Sequence, residues 1–176
     1  AEKVDAPVTD TLMGKGAFPG TDPRYTGMVG MHGTKTSNYG VSECDLLIAV
    51  GARFDDRVTS DTEKFAKNAQ ILQIDIDPAA ASRNYLMDNT LVADCSALLN
   101  ALAEKAQGRE WGNAQWDGLV QEAVTQAERG LREQCGAYAQ LNDAIEKALP
   151  EDGLLVRDIT VSGSLWGSRL FRARGP

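Results

Sequence analysis

Runs of apolar residues broken by glycine and proline dominate the first two thirds of the chain. Asp45-Leu46-Leu47-Ile48-Ala49-Val50-Gly51 is a continuous apolar stretch ended by glycine, the pattern of a strand covered on both faces in a parallel sheet. Ala69 to Pro78 alternates, is rich in β-branched residues and ends in carboxylates and a proline, so it reads as a second strand. A third, Thr90 to Asp94, runs directly into Ser96–Lys105, whose apolar residues recur at helical spacing behind a serine that can cap them. The Leu98/Leu99/Leu102 stripe of that helix reads as core. Upstream, Pro7–Leu12 forms a short strand, Gly14 to Gly33 a long Gly/Pro-rich loop, and Asn38–Cys44 a short helix. Alternation of strand and helix predicts an α/β fold with a doubly wound parallel sheet. Past Gln107 the character changes: residues 114–135 form a polar helix without a strand, Tyr138–Leu149 an amphipathic helix ended by Pro150, and Gly153–Ile159 a buried strand. Three units follow: a nucleotide-binding-type α/β domain over 1–106, a linker helix region over 107–136, and the opening of a second α/β domain over 137–176.

Charge and cysteine usage narrow the function. The chain has 176 residues and a formal charge of −7 without a Lys/Arg cluster, which would repel a phosphate backbone and so argues against nucleic acid. No apolar run approaches the ~20 residues of a membrane-spanning helix. The three cysteines are widely spaced and unpaired by motif, arguing against a disulfide framework or zinc site and for the cytoplasm. Ala1–Val4 reads as the last turn of a helix and Pro176 closes basic text, so the sequence is expected to be a fragment of a longer polypeptide.

Ligands of doubly wound sheets bind beyond the carboxyl ends of the strands. After the first long run stand Gly51-Ala52-Arg53-Phe54-Asp55-Asp56-Arg57, two cations on a loop that opens with glycine, suited to a diphosphate. Asp75 and Asp94 end the next two strands, where carboxylates can accept from ribose hydroxyls or an adenine amine. The competing reading is a surface ion-pair loop, with Asp55, Asp56 and Asp61 neutralising the arginines. No G-x-G-x-x-G fingerprint is present, which weighs against a nicotinamide-dependent dehydrogenase. His32, the only histidine, is bracketed by glycines in Gly30-Met31-His32-Gly33; lacking a second histidine it suits neither a metal site nor a serine triad. Thr160-Val161-Ser162-Gly163-Ser164 could cradle a phosphate with backbone N–H groups or simply be a strand-to-helix turn. Gly14-Lys15-Gly16 is a flexible loop with one cation, a lip for a ligand or a surface loop.

Thr11-Leu12-Met13-Gly14-Lys15-Gly16, Gly30-Met31-His32-Gly33-Thr34, the stretch Asp45 to Thr59 and Ile74-Asp75-Ile76-Asp77-Pro78 occur here in an order and spacing that resembles the central domain of acetolactate synthase and its thiamine-diphosphate relatives. The similarity runs from about Ala1 to Lys105, and the part from about Tyr138 looks like the start of the family's pyrophosphate-binding domain. The resemblance implies a Rossmann-like central domain, with a six-stranded sheet that has lost its N-terminal strand here, holding FAD in a non-redox role. Thiamine diphosphate and Mg²⁺ would sit between outer domains at a subunit interface. By position the flavin contacts would be Thr11, Leu12, Gly30, Met31, His32, Gly51, Ala52, Arg53, Asp55, Arg57, Val58, Asp75, Ile76 and Asp94, with Arg57 and Met31 also facing a substrate channel. Thr160, Ser162 and Gly163 would lie near thiamine diphosphate. The implied activity is decarboxylation of a 2-keto acid and acyl transfer, as in branched-chain amino acid biosynthesis, by a homodimer or homotetramer with a possible small regulatory subunit. The family's activating glutamate, its Gly-Asp-Gly…Asn metal motif and its glycine-rich flavin turn are not among these residues, so the fragment is expected to be inactive alone, with no catalytic or metal-ligating residue of its own. Thr160-Val161-Ser162-Gly163 also replaces the Gly-Gln-His-Gln loop of many acetolactate synthases, which leaves the particular reaction open. The alternatives are a non-catalytic nucleotide-binding or regulatory module of the same fold, or another thiamine-diphosphate decarboxylase or carboligase without FAD.

Overall fold

A computed structural model describes residues 1–80, 83–111, 114–160 and 163–175. Strands β1 (Val8–Asp10) and β2 (Tyr25–Met28) pair in parallel, and β3 (Leu46–Val50), β4 (Gln70–Asp75) and β5 (Asn89–Val92) form a second parallel sheet in that order. Helix α1 (Lys35–Glu43) connects β2 to β3, a short α2 (Asp56–Thr59) follows β3, and α3 (Cys95–Lys105) follows β5. The α/β class with parallel sheets is as the apolar periodicity predicts. One strand escaped that reading: β2 lies inside the supposed Gly14–Gly33 loop, because four residues containing Gly27 carry too little apolar signal to stand out from their glycine- and proline-rich surroundings. Pairing supplies what propensity does not. Thr9 Oγ1 donates to Gly27 O at 2.8 Å, and the Thr26 hydroxyl donates to Val8 O at 3.1 Å.

Local chemistry sets the helix starts. Thr34 caps α1, its hydroxyl accepting from Ser37 N at 3.2 Å, and Asp55 caps α2 by accepting from the N–H groups of Arg57 and Val58. At α3 the cap is Asp94, which accepts from Ala97 N at 2.9 Å, rather than Ser96. A carboxylate at that position also meets the positive end of the helix dipole.

The main core lies against one face of the three-stranded sheet, where Ala49 and Ile71 meet Val29, Val41, Phe54, Phe65 and Ala66. The expectation that β3 is covered on both faces is corrected here: Leu46, at 51% exposure, Ile48 and Val50 stand on an open face. The leucine stripe of α3 is likewise not core, since no residue of α3 is buried and Leu99 and Leu102 are exposed. Apolar periodicity reports which side would prefer burial; whether anything covers it depends on a partner element.

Asp10, at the end of β1, is buried and its Oδ2 accepts from the Tyr25 hydroxyl at 2.9 Å. Burial raises its carboxyl above the usual value of 3.8, against the opposing pull of Lys15 and the Tyr25 bond. A folded pKa above the unfolded one means that stability is lost as pH rises from the unfolded value through the folded one. Asp10→Asn should therefore raise Tm at neutral pH, with the gain shrinking toward acid pH, where both states of the parent hold the proton. A Tm series against pH checks this; a variant less stable than the parent at neutral pH would contradict it.

Beyond the sheet, α4 (Ala114–Cys135) and α5 (Ala137–Ala148) match the two helices read from the pattern. They enclose a small core of Cys135, Ala139 and Leu170 with a π-helical segment, Gly163–Leu170. Arg132 braces the pair, with Nη1 and Nη2 donating to the Asp143 carboxylate at 3.0 and 2.8 Å. Helix α4 also packs on α1, where the Thr36 hydroxyl reaches Ala123 O at 3.5 Å. The buried strand expected over Gly153–Ile159 does not form. No sheet partner exists for it among the described residues, and Leu154, Val156 (91% exposed) and Ile159 face outward.

Candidate functional site

Because neighbouring strands run parallel, the carboxyl ends of β3, β4 and β5 reach one edge of their sheet. That edge carries Gly51, Ala52, Arg53, Asp75, Ile76 and Asp94. Gly51 has φ +64 and nothing within 4 Å of the position a Cβ would occupy, so the turn demands glycine and leaves its outer side open to a close ligand. The loop beyond it is fastened through its backbone. Gly51 N donates to Ile74 O at 2.8 Å, Gln73 Nε2 to Ala52 O at 3.3 Å and Asn84 Nδ2 to Arg53 O at 3.1 Å. Phe54 anchors it, 2% exposed with φ +51, against Phe65 at 5.7 Å and Tyr85 at 6.2 Å between ring centroids. Holding the backbone this way leaves the two guanidinium groups for other work.

The arginines are weakly neutralised. Asp61 pairs with Lys64 at 2.7 Å, the Asp55 carboxylate caps α2, and Arg57 approaches Asp56 only at 4.0 Å with both side chains well exposed. No ion pair engages Arg53 among the described residues. An exposed contact at that distance contributes little, so the surface ion-pair reading does not account for this loop.

A second loop, after β2, closes onto the first. Gly30 has φ +108, and a Cβ there would lie 2.3 Å from Arg57 O. Met31 N donates to that same carbonyl at 2.8 Å, and Arg57 Nη1 lies 3.7 Å from Met31 Sδ. Asn38 clamps Gly30 on both sides, its Oδ1 accepting from Gly30 N at 2.8 Å and its Nδ2 donating to Gly30 O at 3.0 Å. Thus Gly30, Met31, Arg57 and Val58, far apart in sequence, are brought together. His32 is exposed, and its carbonyl accepts from Arg169 Nε at 3.0 Å, tying this loop to the π-helical segment. Thr11 starts a turn, its hydroxyl accepting from Gly14 N at 3.1 Å, and Leu12 is exposed beside it. Asp75 Oδ1 accepts from Asp77 N at 3.0 Å, and Ile76 is exposed. Gly51, Arg53, Met31, His32 and Ile76 of this rim are all exposed.

Thr160 and Gly163 sit apart from that rim in sequence. Thr160 Oγ1 accepts from Gly163 N at 2.9 Å and Thr160 O from Ser164 N at 2.8 Å, so those two N–H groups already have acceptors; Ser162 lies outside the described residues. Sequence reasoning missed Asn38, Gln73 and Arg169 as supports of the rim. Phe54 alone had a legible signal, a large apolar residue inside an otherwise polar loop. Among the described residues no group of three or more His, Cys, Asp or Glu could hold a metal ion, and no helix is long and apolar enough to cross a membrane.

The family model for the central domain of thiamine pyrophosphate enzymes matches residues 1–102. The chain belongs to this family. Its similarity to acetolactate synthase large subunits is substantial: 52% identity over 102 residues with that of Cyanidium caldarium, 58% of this chain and 17% of the relative. A probable acetolactate synthase large subunit of Methanocaldococcus jannaschii is 55% identical over 102 residues, 17% of its length. The isozyme 2 large subunit of Escherichia coli K12 is 50% identical over 105 residues, 60% of this chain and 19% of that protein. The chain thus spans about a sixth of the length of these curated relatives. The candidate residues from Thr11 to Asp94 lie inside the matched residues, whereas Thr160 and Gly163 fall outside them.

Proposed function

We propose that this chain is part of an acetolactate-synthase-like enzyme that decarboxylates a 2-keto acid and transfers the acyl group, and that its rim holds FAD in an extended, structural role. The observation that carries the flavin reading is the pair of weakly neutralised arginines, Arg53 and Arg57, on the loop that opens with the bare backbone of Gly51. A diphosphate is a ligand that two weakly neutralised guanidiniums and a bare glycine would suit. Asp75 and Asp94 stand at the ends of β4 and β5 for the ribose or adenine, Thr11, Leu12, Gly30, Met31 and His32 supply the other side, and Arg57 with Met31 borders the approach for substrate. Ala52, Asp55, Ile76 and Val58 complete the lining.

Thiamine diphosphate with Mg²⁺, when bound, supplies the electron sink for decarboxylation. The described residues offer it Thr160 and Gly163 at most, so its main ligands, the activating glutamate and the metal site would come from other parts of a longer polypeptide, and this segment alone would be inactive. The unit boundaries at 106 and 136 follow from the same reading. A further strand and helix covering Leu46, Ile48 and Val50 would complete the sheet. Homodimer or homotetramer assembly, a small regulatory subunit and a cytoplasmic setting belong to the same proposal.

Flavin retention tests it. In the full-length polypeptide, Arg53→Ala and Arg57→Ala should each lower the bound flavin after gel filtration by at least about tenfold, since a charge-assisted hydrogen bond contributes about 1.5–3 kcal/mol. Visible absorbance reads the occupancy. Unchanged occupancy in both variants would remove the arginines from the flavin site. Retention of ADP in place of flavin would favour a regulatory nucleotide module.

A further inference from the structure

Away from the rim, a cavity of about 280 Å³ lies where residues 171–175 fold back over the Gly14–Gly16 loop and the end of α5. Its wall is fastened rather than incidental, since Gly20 N donates to Ala173 O at 2.7 Å and Arg172 N to Glu146 Oε1 at 2.8 Å. Four cations line it, Lys15, Arg157, Arg172 and Arg174, against two carboxylates, Glu146 and Glu151. Cations thus outnumber carboxylates along this wall within a chain of net charge −7.

Their partners show how much of this charge is compensated. Arg172 pairs with Glu128, so it is neutralised from outside the cavity. Arg174 donates to the carbonyls of Glu146 and Leu149 at 2.7 and 3.5 Å, and Arg157 to Gly163 O at 3.3 Å and the Ser168 hydroxyl at 2.5 Å. These acceptors are neutral: they orient the guanidiniums and leave their charge in place. Lys15 has no ion pair among the described residues. Burial holds its ammonium below the usual lysine range, with Asp10 and Glu146 opposing and Arg157 adding to the depression. Leu149 and the buried Phe171 give the wall an apolar side.

We propose that this cavity binds a small organic oxyanion with an apolar body, its carboxylate or phosphate held by Lys15, Arg157 and Arg174 and its body against Leu149 and Phe171. Guanidinium groups suit either oxyanion, and the volume fits a ligand the size of a substituted ring or short branched chain. The site is independent of the flavin reading and shares none of its residues.

Titration of the full-length polypeptide with phenyl phosphate, phenylacetate and inorganic phosphate, followed by backbone amide shifts and calorimetry, tests this. Expected are saturable shifts centred on Lys15, Gly153 and Arg174, with at least one aromatic probe binding at least about tenfold tighter than inorganic phosphate because only it uses the apolar wall. Preference between the two aromatic probes distinguishes a phosphate from a carboxylate ligand. Lys15→Met and Arg174→Met should each weaken binding about tenfold or more, with Arg174→Lys, which keeps the charge without the fork, weakening it less than Arg174→Met, while Lys67→Met, an exposed cation elsewhere, should change nothing. Circular dichroism identifies a variant that fails to fold; the other then decides. Absence of saturation, equal weakening by Lys67→Met, or shifts centred on Thr160–Ser164 instead would each overturn the proposal.

Discussion

Replacing Phe54 by alanine is expected to destabilise the protein by about 3–5 kcal/mol, the usual cost of removing a buried aromatic ring. The ring is the hub of a cluster in which Phe65 and Tyr85 also touch each other, at 5.5 Å between centroids. Each such pair adds about 0.5–1.5 kcal/mol beyond burial. The backbone adds nothing to compensate, because alanine tolerates φ +51 no better than phenylalanine does. Against a total stability of about 5–15 kcal/mol the loss is large. It should also free the Ala52–Arg53 segment and so loosen any flavin held there, whereas Phe54→Leu, which keeps most of the volume, should lose far less. Chemical denaturation measures the difference. A Phe54→Ala loss under about 1 kcal/mol would mean that the loop is held by its hydrogen bonds alone.

The second large effect is expected at Gly30. Alanine there meets two penalties: φ +108 is open in practice only to glycine, and the new Cβ would lie 2.3 Å from Arg57 O and 3.1 Å from Val58 Cα. Backbone on both sides leaves no flexible side-chain tip to move aside. The two loops must separate, which breaks the bond from Met31 N to Arg57 O and the clamp from Asn38. A loss of roughly 3 kcal/mol or more follows from strain plus broken backbone hydrogen bonds. Gly40→Ala gives the internal comparison: it lies within α1 with nothing within 4 Å, so the same substitution should stabilise by about 0.5–1 kcal/mol. Opposite signs at the two glycines, read by thermal or urea unfolding, would support the geometry; equal effects would contradict it.

Much of the rim was legible because its positions follow strand ends. The apolar runs at Leu46–Val50 and Gln70–Asp75 identify β3 and β4, and parallel pairing then places Gly51–Arg57 and Asp75 on one edge. Asn38 and Gln73 were not legible. A polar side chain in a helix or strand has no pattern that says which distant carbonyl it will meet, and Asn38 finds Gly30 only because α1 folds back over β2. Tyr25–Met28 was missed for a related reason: its strand character comes from its partner β1, not from its own residues.

By itself the sequence determined the local and periodic features: strand and helix character, the glycines that turn loops, and the residues at strand ends. These depend on neighbours a few positions away, which a linear text contains. Only the tertiary structure decided which apolar faces are covered, leaving Leu46, Ile48 and the α3 leucines open and Gly153–Ile159 without a sheet partner. It alone gathered Lys15, Arg157, Arg172 and Arg174 around one cavity. Burial and local field are sums over residues that chain folding brings together, and those sums do not exist until it has done so.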